Sequence, residues 1–124
     1  YYNWSTHSVF PEHPTIKHCI DSALKSFQDS DSEIDVGAYI PQYLDQLGAS
    51  IQSTRLMTKL AEPGTDVWKW PITFYESYFP RLVEMGYLNK EMIDQAFSEL
   101  KIIEAFPYAR LACPMMIEII AEKR

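Results

Sequence analysis

Glycine is scarce in this chain: four in 124 residues, at Gly37, Gly48, Gly64 and Gly86, and never close together. Neither G-x-G-x-x-G nor G-x-x-x-x-G-K-[ST] can be assembled from them. Bringing backbone against a phosphate needs clustered glycines at a strand-to-helix turn, so no nucleotide-cradling loop is present. Cysteine is equally sparse, with Cys19 and Cys113 far apart and in no C-x-x-C pair. A small secreted domain normally needs several bridges, so the expectation is a reducing, cytoplasmic setting with both thiols free and buried. No apolar run approaches the roughly 20 residues that span a bilayer. No charged-apolar-small signal peptide pattern opens the sequence. Positive charge is the minority, 11 Lys and Arg against 17 Asp and Glu, for a formal net charge of −6. With no basic cluster, that balance argues against nucleic acid and anionic membrane as partners.

Metal-ligand patterns are missing too. His7, His13 and His18 match neither the i,i+4 pair of a helical zinc site nor the spacing of a finger. The acidic run from Asp29 to Asp35 starts like a calcium loop. Counted from Asp29, Ile34 then stands where the loop needs Gly and Ile40 where it needs a bidentate Glu. A register starting at Asp31 fails as well, so the run reads as a solvated, helix-capping loop.

What is present suits one globular domain of mixed α/β class, with 47% hydrophobic residues. Residues 1–14 lack a sustained period and read as an extended leading segment. Residues 15–48 hold two helices. In the first, Ile16, Cys19, Ile20, Ala23, Leu24 and Phe27 share one face. The second follows Asp35 as N-cap and ends at Gly48, with Pro41 either near its start or distorting its first turns. Residues 49–60 alternate as a strand. A third helix is predicted from about Pro71, in its first turn, to Met85, with Pro80 bending or breaking it. Asn89 caps a fourth, whose apolar face is Met92, Ile93, Ala96, Phe97, Leu100 and Ile103. Residues 111–121 close as a strand so apolar that both its faces are expected to be covered. The census is four helices and two antiparallel strands, and two strands are not an independently stable sheet unless helices or a partner complete it.

Three stretches resemble parts of a known family. Tyr1-Tyr2-Asn3-Trp4 is similar to the sequence after a fifth strand, and Asp35 to Ala49 to a helix with a Leu-Gly turn into a sixth. Cys113-Pro114-Met115-Met116-Ile117-Glu118-Ile119-Ile120-Ala121-Glu122-Lys123 is similar to a seventh strand that runs antiparallel between those two. In this element order the chain resembles the C-terminal half of a class I S-adenosylmethionine-dependent methyltransferase, a Rossmann-like fold. The resemblance implies that residues 67–106 are a helical lid insertion. It also implies that S-adenosylmethionine is held by a glycine-rich loop upstream of Tyr1, with no cofactor-binding residue and no metal in this segment. The partners it implies are a small-molecule substrate and the missing N-terminal half or a second chain completing the sheet; a homodimer is compatible with it. The 124 residues alone are expected to be inactive.

Methyl transfer needs a nucleophile held in line with the sulfonium carbon and shielded from water. Aromatic walls exclude water and tolerate a cationic donor. The candidate wall is Trp4, Trp68, Trp70, Phe74, Tyr75 and Tyr78, with aromatics at helical spacing equally expected to form core. Trp68 and Trp70, alternating before the predicted helix start, are expected to line one side of a cleft. His7 is the candidate proton acceptor, beside the plainer reading of an exposed loop histidine. Glu76 and Arg81 can fix a polar substrate group or simply face solvent. A rival reading is a non-catalytic helical interaction module presenting Phe74, Tyr78, Met85 and Met92 to a partner. A hydrolase built on Cys19 or Cys113 has no base placed by the sequence.

Overall fold

The computed structural model describes residues 2–124; Tyr1, first of the opening stretch likened to the sequence after a fifth strand, lies outside them. Among the described residues the chain is mixed α/β, with four α-helices and two three-stranded antiparallel sheets. The strands are β1 (Tyr2–Asn3), β2 (Ser8–Phe10), β3 (Ala49–Met57), β4 (Leu60–Ala61), β5 (Arg110–Ala112) and β6 (Met115–Lys123). The helices are α1 (Pro14–Asp29), α2 (Ile40–Gln46), α3 (Asp66–Glu84) and α4 (Lys90–Glu104).

The sheets are ordered β1-β6-β3 and β2-β5-β4. Each strand of the first is continuous along the chain with its counterpart in the second (β1 with β2, β5 with β6, β3 with β4), so three chain segments cross both sheets side by side. The terminal segment is the middle one. What separates the sheets is a break at the same level in all three: a 3-10 turn over Trp4–Thr6, the pair Thr58-Lys59, and Cys113-Pro114. Pro114 has no N–H to give a ladder, which fixes the break in the central segment. The Cys113 amide still donates to the Lys59 carbonyl at 3.0 Å and holds the two sides together.

Several expectations change at this level. The leading segment contains β1, the 3-10 turn and β2, because both short strands borrow their pairing from residues at the far end of the chain. The predicted strands over 49–60 and 111–121 are each split by the break. The terminal run is half-buried to exposed instead of covered on both faces, with Ile120 at 53%. Met115, Met116, Ile117 and Ile119 are half-buried, and the exposed part of the run is Ile120-Ala121. Asp35 makes no capping bond. Its carboxylate accepts from the Ser5 amide at 3.3 Å and hydroxyl at 2.7 Å, and Pro41 falls in the first turn of α2.

The third helix begins five residues earlier than predicted. Thr65 is its N-cap, accepting from the Trp68 amide at 3.3 Å, and Pro71 and Pro80 lie inside. Proline leaves the carbonyl four residues earlier without its helical donor. For Pro71 that carbonyl is Val67's, and the Cys113 thiol approaches it at 4.0 Å as a weak donor. Pro80 lies on the exposed side, with exposed Glu76 one turn before it. The helix thus survives both prolines. The fourth helix is as predicted, with the Asn89 side chain accepting from the Met92 amide at 2.9 Å.

The core lies among α1, α3 and α4 and the second sheet. Ile16, Cys19, Tyr75, Phe79, Leu82, Ala96, Ile103, Ala109 and Leu111 are all essentially inaccessible. Glu99 of α4 is buried among them and accepts from the first-turn amides of α1, Thr15 at 3.3 Å and Ile16 at 2.7 Å. A carboxylate on those orphan donors also meets the positive end of the helix.

Candidate functional site

The break between the sheets opens a pocket of about 350 Å³. Its floor comes from the three crossing segments: Tyr2 of β1, Met57 and Lys59 at the end of β3, and Cys113, Pro114 and Met116 at the start of β6. Its side is the first turns of α3, through Asp66, Val67 and Trp70. Because β6 runs against its neighbours, its beginning meets the ends of β1 and β3.

The lining is apolar apart from two charged groups. Asp66 is almost fully exposed and pairs with Lys69 at 3.4 Å. Lys59 has no ion pair among the described residues. Burial raises the Cys113 thiol above its ordinary range, and the nearby Lys59 charge offsets part of that. The thiol is therefore protonated at neutral pH and leaves the Lys59 charge uncompensated. Tyr2 and Trp70, ring centroids 5.6 Å apart, are both well exposed at the mouth.

Trp70 is the one predicted site residue in this lining. Trp68 is buried, donating its indole N–H to Glu104 at 2.9 Å. The expectation that both indoles share a wall does not hold, because Lys69 sits in a helix and not in an extended run. Two steps along a helix turn a side chain about 200°, which sends one indole to the core and the other to solvent.

Trp4, Phe74 and Tyr78 come together in a separate stack with Phe27. Trp4–Phe74 centroids are 5.1 Å apart, Phe74–Tyr78 5.2 Å and Phe27–Tyr78 5.1 Å. Tyr2, 5.9 Å from Trp4, connects this stack to Trp70. Tyr75 is core, stacked on Phe79 at 5.0 Å. Of the rival module's residues, Phe74, Tyr78 and Met92 pack against the core and Met85 alone is exposed.

His7 is buried, not an exposed loop residue. Its Nδ1 lies 2.7 Å from the Ala112 carbonyl, which can only accept, so Nδ1 carries the proton. Nε2 then accepts from the Tyr75 hydroxyl. Burial holds the imidazole below its ordinary pKa, against the opposing pull of the Ala112 bond, and burial likewise pushes the Tyr75 phenol up. Both ring nitrogens are engaged within the protein, so the geometry makes His7 a tie between β2, β5 and α3. It leaves no nitrogen for a substrate proton.

A second cleft, about 300 Å³, runs from His7 to Asp21 along the start of α1. Its cation, Lys17, is already paired, with Asp21 at 2.7 Å and Glu12 at 4.0 Å. Both cysteines are free and buried, and burial pushes Cys19 up to about 11, with Glu99 adding to the shift. Neither thiol is poised as a nucleophile. Gly48, Gly64 and Gly86 sit singly at positive φ where elements end, a conformation that favours glycine. Among the described residues they stand apart and form no cradle. Among the described residues no helix is long and apolar enough to cross a membrane.

No family model, curated protein or solved structure matches the chain.

Sequence reasoning missed Tyr2, Met57, Lys59, Asp66, Val67, Cys113, Pro114 and Met116 as pocket residues. The only signal available was Pro114, which marks where the terminal strand must break.

Proposed function

We infer that this chain is the substrate-recognition and lid half of a small-molecule methyltransferase that uses S-adenosylmethionine. The observation that carries the reading is the strand order β1-β6-β3, with β6 antiparallel to both neighbours. A fifth, seventh and sixth strand in the resembled family have that order and those directions. Two further features support it. The helices α3 and α4 are inserted between the last two long strands, and α3 walls a pocket at the strand ends. Beyond Ile117, β6 pairs only with β3 among the described residues, and Ile51, Leu56 and Ile120 stand exposed beside it. Apolar sheet surface of that kind is a template for further structure.

In this reading the chain's own residues bind, orient and dehydrate the methyl acceptor. Trp70 and Tyr2 grip it, and Met57, Met116 and Val67 exclude water, which strengthens the electrostatics at the reacting atom. S-Adenosylmethionine supplies the methyl group, and a glycine-rich half outside this chain holds it. No observation favours the interaction-module reading, since three of its four residues serve the core.

Calorimetric titration tests the reading. The donor gives no saturable heat with these 124 residues alone, and saturable heat with a chain that includes an upstream glycine-rich half. Donor binding by the 124 residues, or a gene encoding no such half, overturns it.

A further inference from the structure

The pocket at the sheet break has a composition that selects its ligand. We propose that it binds a small aromatic acid, with the ring system between Trp70 and the two methionines and the carboxylate on Lys59. The inference rests on the reading above in taking this pocket as the seat of the methyl acceptor.

The body of the ligand follows from the lining. At about 350 Å³ the pocket lies near the small end of the range for ligand sites, enough for a compact ring system. Trp70 and Tyr2 are large, rigid and left 43% and 38% exposed, beside the buried Cys113 and Pro114. Aromatic faces at a pocket mouth offer apolar area at little entropic cost, and a flat ligand matches them best. Met57 and Met116 are flexible and polarizable, so they adapt to a planar edge.

The charge follows from counting what is compensated. The two charged residues at the pocket are Asp66 and Lys59. Asp66 points to solvent and pairs with Lys69. On the other sides stand Tyr2, Val67, Trp70, Cys113 and Pro114, none of which carries a charge at neutral pH. Lys59 therefore presents an unpaired ammonium at the edge of an apolar cavity. A neutral ligand leaves it without a partner, a cationic one is repelled, and a carboxylate satisfies it. An ammonium acts as a point charge without a directional fork, so it orients the acid without dictating the ring. The acid group held at Lys59 leaves the far edge of the ring free to face the donor.

Chemical-shift titration of the 124-residue chain tests this with three matched probes: 2-naphthoate, its neutral amide 2-naphthamide, and 2-naphthylmethylammonium. Saturable shifts are expected at the Trp70 indole and at the Val67 and Cys113 amides. Naphthoate should bind about three- to fivefold more tightly than the amide, the size expected of one partly exposed charge pair, and the ammonium probe most weakly. Lys59→Met should abolish the preference and Lys59→Arg keep it. Trp70→Ala should weaken naphthoate and amide alike. Lys59 and Trp70 are both exposed, so the variants retain the fold, which their dispersed spectra will report. Equal binding of acid and amide, a preference that survives Lys59→Met, shifts confined to the cleft along α1, or no saturable shift with any probe each overturns the proposal. The outcome separates from the methyltransferase reading. Naphthoate binding without donor binding by the completed protein keeps the acid site and removes methyl transfer, and the reverse removes the acid site alone.

Discussion

The helical half of the molecule and the β3–β6 ribbon are built from similarly apolar sequence, yet they end in different states. In α1, α3 and α4 the apolar stripes face one another and close, so Phe79, Leu82 and Ile103 have no accessible surface. On the ribbon, Ile51, Leu56 and Ile120 are 38%, 59% and 53% exposed. Three helices bury one stripe each against one another and the second sheet, whose Val9, Ala61 and Leu111 close the same core. A sheet has two faces and two edges, and this chain supplies enough structure to cover only part of them. The first region is self-sufficient. The second leaves apolar side chains exposed.

That contrast can be broken by substitution, and the largest effect belongs to the core. Phe79→Ala should cost about 3–5 kcal/mol, read as a shift in urea midpoint, because the cavity cannot collapse among stacked aromatics. A loss below about 1 kcal/mol would mean the helical core is loosely packed and the contrast is false.

Next come the buried polar ties. Removing the Glu99 carboxylate with Glu99→Ala leaves the Thr15 and Ile16 amides unsatisfied and should cost about 1–3 kcal/mol. Tyr75→Phe, which strips the donor from His7 Nε2, should cost a similar ~1–3 kcal/mol by the same measurement. The His7 tie also predicts a pH dependence. Its folded pKa lies below its ordinary value of 6.5, so the unfolded chain takes up the proton first. The contribution is fully present above 6.5 and is lost as pH falls from there through the folded value. Denaturation midpoints should therefore drop on mild acidification, and His7→Gln should flatten that part of the profile.

The ribbon should give the smallest responses. Ile120→Ser and Leu56→Ser should each change stability by less than about 0.5 kcal/mol in this chain. The Arg55–Glu118 cross-strand pair, 3.0 Å and exposed, should contribute ~0–1 kcal/mol in a double-mutant cycle. If a completing half is supplied, the same two serine substitutions should become costly, and that change would sharpen the contrast most.

The fold was legible wherever the signal is local. The period of α4 and its Asn89 cap are both properties of neighbours three and four apart, and so is the face of α1. The start of α3 was misplaced because Pro71 looks like a first-turn residue, while Thr65 caps the helix and the Cys113 thiol, from the break before β6, approaches the carbonyl that Pro71 leaves without a donor. Strands β1 and β2 were illegible, since two or three residues carry no period and exist only by pairing with the chain's other end. The site was less legible still. Aromatic residues announced themselves, but composition cannot say which of them face a cavity, and most turned out to be core or stack.

By itself, then, the sequence determined the buried faces of α1 and α4, the Asn89 cap and the scattering of the glycines. These depend on short-range spacing or on the chemistry of one residue. Only the tertiary structure decided that three breaks coincide, that Lys59 and Trp70 meet at the gap between them, and that His7 spends both nitrogens on the fold. Each of those facts needs groups brought together from distant parts of the chain, and their meeting is set by strand order and register, which no local pattern encodes.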